Sequence, residues 1–319
     1  MEESEETGYV YGFYKETTPG IGALNGACDL HVHTGPAVFA RLLTHFEAAK
    51  QARSVGMKAI VIKDHHSETA SKATIVRGFV PEIETYGGVV LNYAVGGLNP
   101  FAVDAAINYG AKITYMPTTD SLNHMKHFGI EGATYAQYHK VVSGRKLSYR
   151  GRGGITILTE QGELVPEMEE ILNLIAEADI AIATSHLSAD EDKVLVAEAR
   201  KVGVDKIIIT HANYWILELD VEKQVELAKK GAYIELAYAT MLPYDEKGGT
   251  TASMTGHVET INKVGAEHCI LSSDLGQPMN IAPVEGLRAF YATLMEKGIS
   301  KEDVKTMACT NPKNLLGLK

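Results

Sequence analysis

The chain has 319 residues, 45% of them hydrophobic and 22% charged, with a formal charge of -10. That length holds one large domain or two ordinary ones, and the composition is that of a globular protein with an ample core. The acidic balance leaves no basic face for a nucleic acid, and no apolar run nears the roughly 18 residues a bilayer-spanning helix needs, so neither is an expected partner.

The opening MEESEE lacks the positive start and apolar centre of a secretory leader. Cys28, Cys269 and Cys309 are odd in number and far apart, which argues against a disulfide framework and for a reducing, cytoplasmic setting. Residues 1–26, including TGYVYGFYKETTPGIG, read as an extension packing on the domain that follows, because exposed aromatic rings are costly.

Residues 27–319 then read as one domain. Short β-branched runs fall at 27–33, 59–65, 89–93, 112–116, 180–186, 206–211, 233–237 and 269–274. They are mostly apolar throughout, as strands buried on both faces should be. Helical patterns lie between them, for example at 39–55, 101–109, 167–178, 190–202, 221–229 and 283–297. Ser188 before three acidic residues opens one helix, and Lys229-Lys230-Gly231 closes another.

Eight such units predict a (β/α)8 TIM barrel. A doubly wound sheet needs fewer units and a glycine-rich turn after its first strand, where this chain has HTGPAVFA. One long insertion, at about 118–165, follows the fourth strand. Within it ITILTEQGELV predicts a hairpin turning at Gln161 and Gly162. Insertions of that size on a barrel are lids or interfaces.

The chemistry lies at the carboxyl ends of the strands, where barrel enzymes build their sites. The first strand ends DLHVHTG, and residues two apart on a strand share a side, so His31 and His33 project together, with Asp29 at the same parity one step deeper. Two adjacent imidazoles aimed at one point suit a divalent metal. The second strand ends in VIKDHH, placing Lys63 and His65 on one face with His66 opening the loop. His186, His211 and Asp274 mark the ends of strands five, six and eight. Five or six of the 12 histidines therefore occupy strand ends, a concentration that chance scatter does not explain.

This ordered set, closing with ACTNPKNLLGL at the carboxyl terminus, resembles the amidohydrolase superfamily of metal-dependent hydrolases. The resemblance implies metal held by His31 and His33, further ligands from His186 and His211, and Asp274 as ligand and proton shuttle. Zn²⁺ is the first expectation, with Mn²⁺, Fe²⁺ or Ni²⁺ as alternatives, and one or two ions. His186 or His211 alternatively contacts substrate, so His211 is also a catalytic candidate beside Asp274. His65 is a further candidate ligand, with His66 as its rival.

The chain departs from that superfamily at the fourth strand end, ITYMPTTDS, which supplies no bridging lysine or glutamate. Lys63 is a candidate carboxylated bridge in its place. VIKDHH also resembles the polymerase-and-histidinol-phosphatase phosphoesterases, whose late Asp-x-His pair SSDLGQ does not supply. The expected activity is hydrolysis of a small amide, cyclic amide or lactone by metal-activated water. The alternatives are a mononuclear decarboxylase or hydratase on the same barrel, and a phosphoesterase.

Asp29 or Asp64 is expected to orient the imidazole ligands through their second nitrogens. The insertion carries Arg145, Lys146, Arg150 and Arg152, of which Arg150 and Arg152 are candidates to bind an anionic group of the substrate. His124, His127 and His139 read as surface or interface residues, while Tyr135, Tyr138 and Tyr149 are candidates to line a lid. A small-molecule substrate and a homo-oligomer complete the expectations.

Overall fold

The computed structural model describes residues 17–129, 142–143, 152–243 and 252–318. Eight strands follow one another around a single parallel sheet: β1 (Cys28–His33), β2 (Ala59–Lys63), β3 (Glu84–Val90), β4 (Ile113–Tyr115), β5 (Ala181–Ala183), β6 (Ile207–Ile209), β7 (Ala232–Ala237) and β8 (Cys269–Ser272). Consecutive strands pair in order. The seam between β8 and β1 is joined by a parallel bridge between Val32 and Leu275. There Asp274 N–H donates to the His31 carbonyl (2.9 Å) and His33 N–H to the Leu275 carbonyl (2.8 Å). The expected barrel is the observed one.

Two apolar layers explain why the strands read as apolar throughout. Cys28, Leu30, Val61, Val90, Ile113, Tyr115, Ile208 and Ile270 form an inner cluster drawn from many strands, with Leu315 and Leu316 of the carboxyl-terminal helix packed among them. Alternate residues such as Val32, Ile60, Ile62, Ile207 and Leu271 join a second cluster with helix residues including Leu287 and Phe290. Each fully buried aliphatic side chain contributes about 1.5–3 kcal/mol relative to exposure.

Helix starts follow local chemistry. The helix His45–Ser54 opens on a capping box in which the Thr44 side chain and Glu47 satisfy each other's amides, so it begins six residues later than the periodicity predicts. Ser188 caps Ala189–Lys201 in the same way. β3 begins at Glu84, five residues before the predicted strand. Gly87 and Gly88 obscure it, yet both are needed: a Cβ at Gly87 would stand 2.3 Å from the Thr69 carbonyl carbon, and one at Gly88 would stand 2.1 Å from the Ile113 oxygen.

Residues 116–165 separate β4 from the helix Pro166–Glu177. Their described parts include the helix Leu122–Phe128, capped by Ser121, and a tight antiparallel turn in which Leu158 bridges Leu164 around Gly162 (φ 80°). Arg145, Lys146, Arg150, Tyr135, Tyr138, His139 and Tyr149 lie outside the described residues, as do residues 1–16. The short helix Ile21–Leu24 buries Leu24, and the Arg288 side chain donates to the Pro19 carbonyl beside it. No helix among the described residues is long and apolar enough to cross a membrane.

Candidate active site

β1 delivers its two histidines through an irregularity. Asp29 pairs with Ile60 and Val32 with Ile62, so three steps on β1 match two on β2, and a β-bulge absorbs the extra residue. This overturns the expected parity of Asp29. Asp29 and Val32 line one small cavity with Pro283, Val284 and Leu287, on the side of the helices. Asp29 Oδ1 instead accepts the main-chain N–H groups of His31 (3.2 Å) and Ser273 (3.0 Å).

Beyond the bulge, His31 Nε2 and His33 Nε2 lie 3.0 and 3.1 Å from the same oxygen, Asp274 Oδ1. Asp274 arrives from the turn after β8 in a left-handed backbone conformation (φ 51°). It caps no helix, since the next begins at Pro283. Gly276 (φ 131°) lets that turn press against β1, because a Cβ there would stand 1.7 Å from the His33 carbonyl oxygen.

The second nitrogen of each imidazole is oriented by a group that sequence reasoning missed. His31 Nδ1 faces Glu235 Oε2 at 3.3 Å, and His33 Nδ1 faces the Lys63 carbonyl at 3.1 Å. Asp64 is not the partner, because its oxygens accept from the His66 N–H, the Ser67 hydroxyl and the Lys72 ammonium. The signal for Glu235 was a single acid inside the apolar run of β7, two residues from the inward-packed Tyr233.

Lys63 Nζ is 3.0 Å from His31 Nε2 and lies over the Tyr115 ring at 4.7 Å. Burial presses its pKa down to about 8, although the Asp274 and Glu235 carboxylates oppose the shift. Burial also presses on His31, but Asp274 and Glu235 outweigh it and raise its pKa. Asp274 stays well below the usual carboxylate range despite its burial, chiefly because the His31 charge beside it favours the ionised form. His33 is held down to about 3 by burial and by the nearby Arg41 charge.

These states test whether a cation fits. A neutral His33 whose Nδ1–H points at a carbonyl must turn its Nε2 lone pair toward the Asp274 carboxylate, so two acceptors face each other across 3.1 Å. A divalent ion resolves that opposition. His31, His33 and Asp274 each offer a ligand atom, all within 4.8 Å of one another. Among the described residues, His211 Nδ1 is also buried without a hydrogen-bond partner. The donor set fits a borderline metal of the zinc type.

The remaining strand-end histidines extend this centre into a ring. His65 stacks on His33 at 4.9 Å, His211 lies 5.9 Å from His31, and His186 lies 5.0 Å from His211, measured between ring centroids. His66 points elsewhere, edge-on to Phe39 with Asp64 beside it. His186 and His211 sit in turns past β5 and β6 rather than within strands, and His211 has φ 34°. His65 Nδ1 meets Thr118 Oγ1 at 2.9 Å, and that hydroxyl also accepts from Asn92. Burial holds His186 well below its usual pKa and His211 at about 4, so both are neutral near pH 7.

One expectation about the insertion changes. His124 is fully buried, not a surface residue, and its Nδ1 lies 2.9 Å from His186 Nδ1, leaving His186 to present Nε2 inward. Arg152 is exposed and lies over the Tyr93 ring at 5.2 Å.

A family model described as "Family of unknown function (DUF6282)" matches residues 26–235, and the chain belongs to that family. No curated protein matches the sequence. Solved structures do. An amidohydrolase from Pseudomonas aeruginosa is 13% identical, with 93% of this chain and 97% of that one covered and a TM-score of 0.58. The probable dipeptidase PvdM from the same organism is 12% identical over 93% and 96%, with a TM-score of 0.60. A 2,6-dihydroxybenzoate decarboxylase from Rhizobium is 11% identical over 92% and 99%, with a TM-score of 0.52. At such identities the likeness is one of fold alone, the eight-stranded parallel barrel.

Proposed function

We propose that this member of the DUF6282 family is a metal-dependent hydrolase that acts on a small amide, cyclic amide or lactone. One observation carries the reading: the two imidazole nitrogens of β1 and the carboxylate after β8 converge on one point at 3.0–3.1 Å, at the strand ends where barrel enzymes work. His31, His33 and Asp274 would hold the cation, Zn²⁺ by first expectation, while His186, His211 and His65 face it as further ligands or substrate contacts. A divalent ion there supplies Lewis acidity and lowers the pKa of water from 15.7 to about 7.

The protein's own groups do the rest. Asp274, ionised at neutral pH, takes a proton from the attacking water as its oxygen bonds to the carbonyl carbon, then returns it to the leaving nitrogen or oxygen as that bond breaks. The neutral imidazole of His211, or the imidazole of His65, donates to the carbonyl oxygen when its N–H turns inward. The buried Tyr115 and Phe39, with the half-buried Tyr214, limit access of bulk water and strengthen these contacts.

The test is elemental analysis of purified protein, followed by a screen of cyclic amides and lactones. Stoichiometric metal is expected, with hydrolysis abolished and folding retained in His31→Ala and Asp274→Asn. Full activity in metal-free protein sinks the proposal.

A second reading, a one-metal decarboxylase or hydratase, draws on the fourth strand. Met116, Pro117 and Thr118 follow β4 with no acid or lysine, so the bridge common in two-metal relatives has no counterpart there. Two ions per chain would favour hydrolysis. A single ion with carbon dioxide release from an aromatic acid would favour the second reading.

A further inference from the structure

Glu235 is buried at 2% exposure in the middle of β7, far along the chain from either histidine pair of the first two strands. One oxygen, Oε2, serves two partners: it faces His31 Nδ1 at 3.3 Å and accepts the main-chain N–H of His211 at 2.8 Å. The following amide, Ala212 N–H, donates to the Glu235 carbonyl at 2.9 Å. His211 occupies left-handed backbone space that a side chain other than glycine adopts at a cost, so its turn needs such anchors.

We infer that Glu235 is a positioning residue that couples the β1 and β6 histidines to the cation. By accepting from Nδ1–H it selects the His31 tautomer whose Nε2 lone pair points at Asp274, and its charge makes that nitrogen a stronger ligand. Through the His211 amide, the same oxygen fixes where the second imidazole stands. This assignment rests on the metal-centre reading above. A merely structural carboxylate would need only to satisfy a buried amide, which a glutamine oxygen does equally well.

Titration of metal-free wild type and Glu235→Gln with Co²⁺ and Zn²⁺ separates these roles, read by visible absorption and competition with a chelator. Glutamine preserves volume and the acceptor for His211 N–H, so the thermal midpoint should stay near wild type. Metal affinity should fall about 10–100-fold and the Co²⁺ absorption bands should shift. Glu235→Asp, which keeps the charge one methylene too far back, should not rescue affinity. Unchanged affinity and bands in Glu235→Gln would overturn the inference while leaving the metal reading intact. Wild type that takes up neither ion would overturn the metal reading and this inference with it. If the glutamine variant does not fold, nitrogen-15 spectra of zinc-loaded wild type decide: a proton on His31 Nδ1 supports the assignment, and one on Nε2 overturns it.

Discussion

Asp29 on the first strand holds Ser273, just past the last, through one carboxylate oxygen 3.0 Å from the Ser273 main-chain nitrogen. The same oxygen accepts the His31 amide beside the β1 bulge. A carboxyl side chain, its pKa pushed up to about 7 by burial, thus closes the barrel seam at the point where His31 and Asp274 leave it.

That relationship predicts opposite outcomes for two substitutions. Asp29→Asn keeps an acceptor oxygen for both amides and should change stability by less than about 1 kcal/mol. Asp29→Leu strands two buried N–H groups and should cost roughly 2–5 kcal/mol. Urea denaturation at pH 7 measures both, and equal stability of the two variants would refute the role.

Gly276→Ala places a methyl carbon into the His33 carbonyl and forces a side chain into φ 131°. The expected cost is at least about 2 kcal/mol, because backbone rather than a flexible side chain must yield. His33 or Asp274 must move as well, so metal uptake should weaken alongside stability. Calorimetry of both properties in one variant checks the pairing.

His257 sets an acid limit on stability. It is fully buried, with Nδ1 2.9 Å from Asn213 Nδ2 and Nε2 3.4 Å from Thr240 Oγ1, and burial presses its pKa from 6.5 to about 4. Between those values the unfolded chain binds more protons, so stability is full above pH 6.5 and drains as pH falls toward 4. The loss is roughly 3 kcal/mol at 1.36 kcal/mol per unit. His257→Gln should flatten the wild-type curve between pH 6.5 and 4 in paired denaturation series. Parallel curves would assign the acid sensitivity elsewhere.

Lys63 carries a chemical prediction. Its pKa near 8 leaves a fraction of free amine at neutral pH. That amine can bond to carbon dioxide and release a proton, forming the carbamate that would bridge two ions. Carbon-13 spectra with labelled bicarbonate should show a carbamate signal only with metal present, and none in Lys63→Met. Its absence from metal-loaded wild type would rule out the carbamate.

The barrel and its ring of imidazoles were legible before any coordinates. Apolar runs separated by capped helices record two-sided burial, and His31, His33 and Asp274 meet at one point, with ring contacts linking His65, His211 and His186 to them. β3 was misplaced because Gly87 and Gly88 lack the branched side chains by which a strand is read. Asp29 was misassigned because alternation holds only while the ladder is regular, and the bulge breaks it.

What the amino-acid order determined on its own was the pattern of burial and the supply of imidazoles to one rim, since both follow from local periodicity. Only the tertiary structure decided which group orients each imidazole: Glu235 reaches His31 across 204 positions, and His124 reaches His186 across 62. Such pairings depend on barrel closure and on where each loop returns. No local spacing encodes them, because the energy that selects them is shared by the whole packed core.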